Sequence, residues 1–391
     1  MAQIIGRLDS GASWADSTIT YAMPLTAFGS GPERYGFKPM TSTMQAAAVD
    51  AFELWDDLIA PSLVRATSGA DINFGYSSRT GGGTYAYTSY GDYANGRWQL
   101  DSAEIWLATG WWSHNDNSDF YFGSYGNLTY MHEIGHALGL DHPGNYNGSA
   151  TYSADALYAQ DTHRYTLMSY FDADADGSRT DHYARSGEWL FPQTPMVHDI
   201  AAIQAIYGRD MTTRSGNTTY GFGSNTGNDV FDFSVNKDPI VAIWDGGGTD
   251  WLSLSGFSGP QVIKLAAGSY SSVGGMTNNL GIAYGCTIEN VRGGRGADSI
   301  YGNAADNDIR GLAGNDTIRG GSGDDSLFGG AGNDTIDGGA GTDTAYLAEA
   351  RRDYRVADKG SYVLVTDRSS GEVDKYIGVE KLVFADMSII L

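Results

Sequence analysis

Alternation of apolar and polar residues, with several β-branched side chains, predicts a first strand over Ser17–Met23. From Thr41 to Leu58 the apolar spacing lengthens to that of a helix. Thr43, Gln45 and Ala46 open it, and Ala47, Phe52, Leu54, Trp55 and Leu58 form its apolar stripe. Ala70–Tyr76, Thr84–Ser89 and Ala103–Ala108 predict three further strands, the second of them entered through Gly81-Gly82-Gly83. A helix beginning near Gly126-Asn127 follows. A last one runs from Asp199 to Gly208, with Ile200, Ile203 and Tyr207 on one face. The order strand, helix, three strands, helix predicts a mixed sheet backed by helices, an α+β domain over residues 1–208. The Thr84–Ser89 strand, with glycines before it, is expected at a sheet edge, where an extended peptide pairs backbone to backbone along Thr84, Tyr85, Ala86 and Tyr87.

Residues 209–391 carry a different pattern. From Gly293 the chain repeats every nine residues on Gly-Gly-x-Gly-x-Asp-x-U-x, with units starting at Gly293, Gly302, Gly311, Gly320, Gly329 and Gly338. This is the repeat of calcium-binding parallel β-rolls. The eighth position (Ile300, Ile309, Ile318, Leu327, Ile336, Ala345) is expected to be buried. The sixth (Asp298, Asn307, Asp316, Asp325, Asp334, Asp343) is expected to face ions. One coil needs two units, so Asp298 pairs with Asp316, Asp316 with Asp334, Asn307 with Asp325 and Asp325 with Asp343. Turn carbonyls complete the ligand sets, at Gly294 and Gly296, at Gly311 and Ala313, and at Gly321 and Gly323. The later turns supply Gly330 and Gly332, then Gly339 and Gly341. An all-oxygen donor set selects Ca2+ over zinc. Asn307 lacks a charge, so its site is expected to be weaker. After Tyr346, Tyr362–Thr366 and Glu380–Phe384 alternate again and predict a small β-meander. The second domain is therefore expected to be all-β.

Composition narrows the functions available. The formal net charge is −23, with 47 acidic against 24 basic residues, which excludes nucleic acid and anionic membrane surfaces as expected partners. Cys286 is the single cysteine, so no intrachain disulfide can form and calcium is the expected staple. The N-terminus has no basic stretch followed by an apolar one, as a conventional signal peptide requires, and no apolar run is long enough to span a bilayer.

The chemistry is concentrated in Met131-His-Glu-Ile-Gly-His-Ala-Leu-Gly-Leu-Asp-His142. On a helix, His132 and His136 share one face, about 5–6 Å apart at Cβ. That spacing suits two imidazoles on one zinc ion. Glu133 projects beside the metal, where it can reach a water. Gly139 allows the positive φ at which a chain leaves a helix, and the turn brings back His142 as a third ligand. Three neutral ligands leave a fourth position open for water, as a catalytic site requires.

His132, Glu133, His136, Gly139 and His142, with Leu167-Met168-Ser169-Tyr170 downstream, match the metzincin pattern of zinc helix and Met-turn. Together with His198-Asp-Ile-Ala-Ala-Ile-Gln204, this sequence resembles the serralysins, secreted bacterial zinc proteases, over roughly residues 15–345. The resemblance implies a metzincin-like domain followed by a β-roll, one catalytic zinc and several structural calcium ions. It implies Tyr170 as a zinc ligand at rest that later hydrogen-bonds the oxyanion, and Met168 as the floor under the metal. It also implies a calcium site at the entry to the second domain. Asp245 and Asp250 would supply carboxylates, and the Arg214–Thr218 loop, with Gly216 and Gly248, would supply carbonyls. Expected partners are protein or peptide substrates, a proteinaceous inhibitor and a type I secretion apparatus, with the chain monomeric and exported without a signal peptide.

Some features resist this frame. Asp172-Ala-Asp-Ala-Asp-Gly177 mimics an EF-hand opening, but its twelfth position is Tyr183, so a solvated acidic loop is expected. The stretch before the first strand is short for the family, which implies that a leading helix or pro-segment is missing. His163 and His198 fall outside the pattern and are expected to be surface or structural residues. The competing reading is a non-catalytic, calcium-stiffened surface or adhesion protein, against which the intact catalytic residues argue. A lipase would need Gly-x-Ser-x-Gly, which does not occur.

Overall fold

A computed structural model of the protein describes residues 1–81, 83–109 and 119–391, so Gly82 of the expected glycine entry lies outside the described residues. The chain forms two compact units. The first comprises residues 1–182, 188–213 and 240–244, and the second comprises 183–187, 214–239 and 245–391.

The first unit opens with helix α1 (Ala2–Leu8), ahead of the first strand. Strands β1 (Ala12–Ser13), β2 (Thr18–Ala22), β3 (Phe37–Lys38), β4 (Ser62–Arg65), β5 (Ile72–Ser77), β6 (Tyr85–Ala94) and β7 (Arg97–Ala108) form one mixed sheet. β5 runs parallel to β2 and β7, whereas β6 returns antiparallel on β7 through the Asn95-Gly96 turn, both residues at positive φ. Among the described residues β6 pairs with β7 alone, so it is the sheet edge that the Thr84–Ser89 pattern predicts.

Helix α2 (Ser42–Asp56) begins one turn residue earlier than Thr43 suggests. The Thr41 hydroxyl accepts from the Met44 N–H at 3.2 Å, so Thr41 is the cap. Helix α3 (Tyr125–Ala137) is capped by Ser124 in the same way. Phe52, Trp55, Phe74, Ile105 and Tyr130 fill the core beneath these two helices, each fully buried. The Trp55 indole N–H donates to the Met131 carbonyl at 3.1 Å, which ties α2 to the helix that carries the histidines. A short helix α4 (Tyr152–Asp155) precedes α5 (Val197–Tyr207). Asp199 is not the cap of α5. It sits one turn inside, and its carboxylate accepts from the Met196 N–H at 2.8 Å.

The second unit is all-β, with parallel ladders whose strands recur every second repeat. Ile300 pairs with Ile318 and Ile318 with Ile336 on one sheet; Ile309 pairs with Leu327 and Leu327 with Ala345 on the other. All six of these side chains are fully buried. Gly332 shows why the turns need glycine: its φ is 128°, and a Cβ there would strike the Gly314 carbonyl oxygen of the preceding coil. After Tyr346, Tyr354–Asp358, Val363–Asp367 and Val373–Ile377 pair antiparallel in chain order, the small meander expected there, and it is joined to the roll. Val373–Ile377 pairs parallel with Thr335–Asp337, and Lys381–Val383 with Thr344–Tyr346, so they extend both sheets of the roll. No helix among the described residues is long and apolar enough to cross a membrane.

Candidate functional site

Helix α3 places His132 and His136 one turn apart, and the chain then has to reverse. Gly139, at φ 95°, makes that reversal, and a Cβ there would lie 2.5 Å from the Ala12 carbonyl oxygen. The Leu140 N–H closes on the Gly135 carbonyl at 2.9 Å, and His142 returns toward the helix. The three Nε2 atoms form a near-equilateral triangle of 3.1, 3.1 and 3.2 Å. A tetrahedral ion bonded at about 2.0–2.1 Å to each nitrogen sets them about 3.3 Å apart, so the triangle fits zinc. Among the described residues this is the one such convergence of three metal-ligating side chains.

The tautomers are fixed from behind. His132 Nδ1 lies 2.8 Å from the Leu167 carbonyl oxygen and His136 Nδ1 lies 2.9 Å from that of Leu140. A carbonyl only accepts, so Nδ1 of His132 and of His136 carries the proton and their Nε2 atoms present lone pairs. The His142 ring stacks on that of Tyr146, centroids 5.5 Å apart. Burial holds all three imidazoles below their ordinary basicity, with mutual repulsion reinforcing this for His132 and His142. Neutral ligands are what a dication needs.

Beneath this triangle lies the Met-turn. Met168 is fully buried, and a Cβ added to Gly135 would stand 2.9 Å from its sulfur and 3.2 Å from the Trp55 ring. Gly135 is therefore the position at which the helix admits the thioether between its two histidines. Sequence reading passed over it, although glycine in a helix interior is itself a signal of close approach.

Glu133 is buried on the cleft side, and burial pushes its carboxyl up to about 8, offset in part by the nearby Ala86 backbone of β6. Its Oε2 has no protein partner. The cleft is lined by Thr84, Tyr85, Ala86, Glu133, the three histidines and Tyr170, so three of the four residues of the expected edge lie beside the histidines, whereas Tyr87 does not line it. The Tyr170 ring packs 4.6 Å from that of His142, with its hydroxyl accepting from the Gly148 N–H at 3.4 Å. His163 and His198 are both buried, hence structural and not surface residues.

The second unit gathers its own acidic groups. Asp316 Oδ1 accepts from the Asp298 N–H at 2.7 Å, and Asp334 Oδ1 from that of Asp316 at 2.8 Å. On the facing edge Asp325 Oδ1 accepts from Asn307, and Asp343 Oδ1 from Asp325, each pair eighteen residues apart. The other oxygens of Asp316, Asp325, Asp334 and Asp343 are buried with no protein partner. Burial raises all four carboxyls, Asp316 and Asp325 to about 7. Such orphaned oxygens, beside turn carbonyls, suit calcium. At the entry loop, Thr218 donates its hydroxyl toward the carbonyls of Arg214 and Gly216, and its N–H to Asp250. Gly248 approaches Gly216 closely, and Asp250 Oδ2 is buried without a partner beside Asp245.

Three acidic residues were missed. Glu289 accepts from the Asp250 N–H, Asp374 from that of Asp334, and Glu380 from that of Asp343. Glu289 and Glu380 share the local pattern apolar-Glu-x-apolar, the signal that could have found two of them. In the acidic loop Asp172 and Asp174 are exposed, and Asp176 Oδ1 accepts from the Ser178 N–H at 2.8 Å.

Comparison with known proteins falls on the same two units. A family model described as Matrixin matches residues 14–153, and one described as Peptidase M10 serralysin C terminal matches 209–382. Metallopeptidase AprA of Pseudomonas marginalis is 42% identical over 298 residues, 73% of this chain and 60% of the relative. Metalloprotease AprA of Pseudomonas entomophila is 38% identical over 315 residues, 76% of this chain and 62% of the relative. Serralysin of Proteus mirabilis is 40% identical over 240 residues, 60% of this chain and 47% of the relative. The chain thus spans between 47% and 62% of the length of these curated relatives.

Proposed function

Because the chain belongs with the serralysins, joining a matrixin-type peptidase domain to a serralysin C-terminal domain, we propose that it is a secreted zinc endopeptidase that cuts internal peptide bonds of proteins. The observation that carries this reading is the triangle of His132, His136 and His142 with the buried carboxyl of Glu133 beside it. A zinc ion held by these imidazoles would supply Lewis acidity, making a water acidic near neutrality and polarising the scissile carbonyl.

The chain's own groups do the rest. Glu133 takes the proton of the attacking water and delivers it to the leaving amine. Burial raises its carboxyl, and a dication held at the three nitrogens would favour the ionised base. Substrate lies extended along the edge of β6, antiparallel to Thr84–Tyr87, and exchanges backbone hydrogen bonds there. Tyr170, at the rim of the cleft, is assigned to a ligand position at rest and to the oxyanion during the reaction. Met168 and Gly139 shape the site without touching substrate.

Residues 1–208 are taken as the peptidase portion and 209–391 as the calcium-dependent portion. Its ions would sit on the Asp298–Asp343 ladders and at the Asp245/Asp250 entry. Outside the cell calcium orders the roll; inside, where it is scarce, the roll stays loose, which couples folding to a type I export route. The test is casein cleavage that EDTA abolishes and that zinc plus calcium, added together, restores. Cleavage that persists through exhaustive chelation would reject the proposal. A non-catalytic adhesion protein would cleave nothing under either condition.

A further inference from the structure

One buried carboxylate holds two side chains of the edge strand β6. Glu33, in the 3₁₀ turn Pro32–Gly36, is 2% exposed. Its Oε1 accepts from the Tyr85 hydroxyl at 2.6 Å and from the Tyr87 hydroxyl at 3.2 Å. Burial opposes its ionisation, but these bonds and one to its own backbone outweigh burial and keep the carboxyl below its ordinary range. The two tyrosine rings lie 4.9 Å apart on the same face of β6, and the residue between them is Ala86, which lines the cleft together with Glu133.

The turn that carries Glu33 is itself anchored. The Ser77 hydroxyl of β5 donates to the Glu33 carbonyl at 2.6 Å, and Phe28 stacks on the fully buried Trp106 of β7 at 4.2 Å. Gly31 leaves room for the carboxylate, since a Cβ there would collide with Oε2. Neither surface burial nor solubility requires a buried carboxylate here. A hydrophobic residue would pack this face at lower desolvation cost.

Resting on the reading that substrate lies along β6, we infer that Glu33 is a positioning residue for substrate binding. Through Tyr85 and Tyr87 it fixes the height of the Ala86 backbone over Glu133, and with it the register of an extended peptide. It touches no reacting atom. Loss of the clamp weakens peptides long enough to use the edge and leaves the chemistry at the metal unchanged.

The test compares an internally quenched octapeptide cut by the wild type with the tetrapeptide centred on the same bond, using the full zinc- and calcium-loaded chain. Glu33→Ala should raise KM for the octapeptide about tenfold with kcat within about twofold, and leave tetrapeptide kinetics unchanged. Glu33→Gln, which keeps the acceptor oxygen, should restore the octapeptide KM. If Glu33→Ala does not fold, the pair Tyr85→Phe and Tyr87→Phe, which removes both donors and keeps both rings, should reproduce its KM shift. Unchanged octapeptide KM in a folded variant, with the wild type still preferring the longer peptide, overturns the clamp and leaves the edge reading standing. Equal losses on both peptides without rescue by Gln overturn it too. A wild type indifferent to peptide length overturns the edge reading and the clamp together.

Discussion

His132 Nδ1 and the Leu167 carbonyl oxygen lie 2.8 Å apart, although 35 residues separate them along the chain. The same Leu167 gives its N–H to Asp199 at 2.7 Å, and the Thr166 hydroxyl donates to that carboxylate at 2.5 Å. Asp199 therefore orients the first zinc ligand through the Met-turn, as outer groups commonly do for metal-bound imidazoles.

This relay makes stability depend on pH. Burial raises Asp199 to about 7, whereas the unfolded value is about 3.9. The sign follows: its contribution is full below about pH 4 and is lost as pH rises through about 7. In urea unfolding with calcium present throughout, the wild type should lose more stability between pH 5 and 8 than Asp199→Asn does. The variant can keep both N–H bonds on its amide oxygen and turn its NH2 to the Thr166 hydroxyl, which then accepts, so it should differ from the wild type by no more than about 1–1.5 kcal/mol at pH 5. Equal pH slopes in the two proteins would remove Asp199 from this role.

Calcium should govern the second unit. Four buried carboxylate oxygens on Asp316, Asp325, Asp334 and Asp343 have no protein partner, so without a cation the ladders carry uncompensated charge at neutral pH. Titrating calcium into metal-free protein should produce a cooperative gain of β signal in circular dichroism. Asp334→Ala should move the midpoint to about tenfold higher calcium. No change in signal on adding calcium would contradict the ion-ordered roll.

Leu312 occupies a turn position that glycine fills in the three repeats that follow. Its φ is 79°, where Gly321, Gly330 and Gly339 sit at 121°, 111° and 102°. A side chain in that region costs about 1–2 kcal/mol. Glycine returns about 0.5–1 kcal/mol of that through unfolded-chain entropy. Leu312→Gly should therefore stabilise the calcium-loaded protein by up to about 1 kcal/mol. Gly330→Leu, whose Cβ would strike the Leu312 carbonyl oxygen, should destabilise it by more. A fall in unfolding midpoint for Leu312→Gly would show that the left-handed conformation carries no strain.

What the sequence made legible was local. His132, Glu133 and His136 are one helical turn apart, and the nine-residue period states the roll's geometry directly, so both could be read without knowing the fold. Relationships that close only in three dimensions stayed hidden. Glu33 reads as one acidic residue in a loop until β6 brings Tyr85 and Tyr87 onto it. Asp199 reads as a helix cap until the Met-turn folds against it. Asp374 and Glu380 lie outside the repeat, and only the parallel pairing of their strands places them at the end of each ladder. The helix Ala2–Leu8 is too short to leave a clear periodic signal.

The most direct test is zinc content measured alongside turnover in Glu133→Ala. The account predicts about one zinc per chain in both proteins, with casein cleavage by the variant reduced at least about a thousandfold. A variant that keeps its zinc and cleaves within tenfold of the wild type, or a wild type that binds no zinc at His132, His136 and His142, would contradict it.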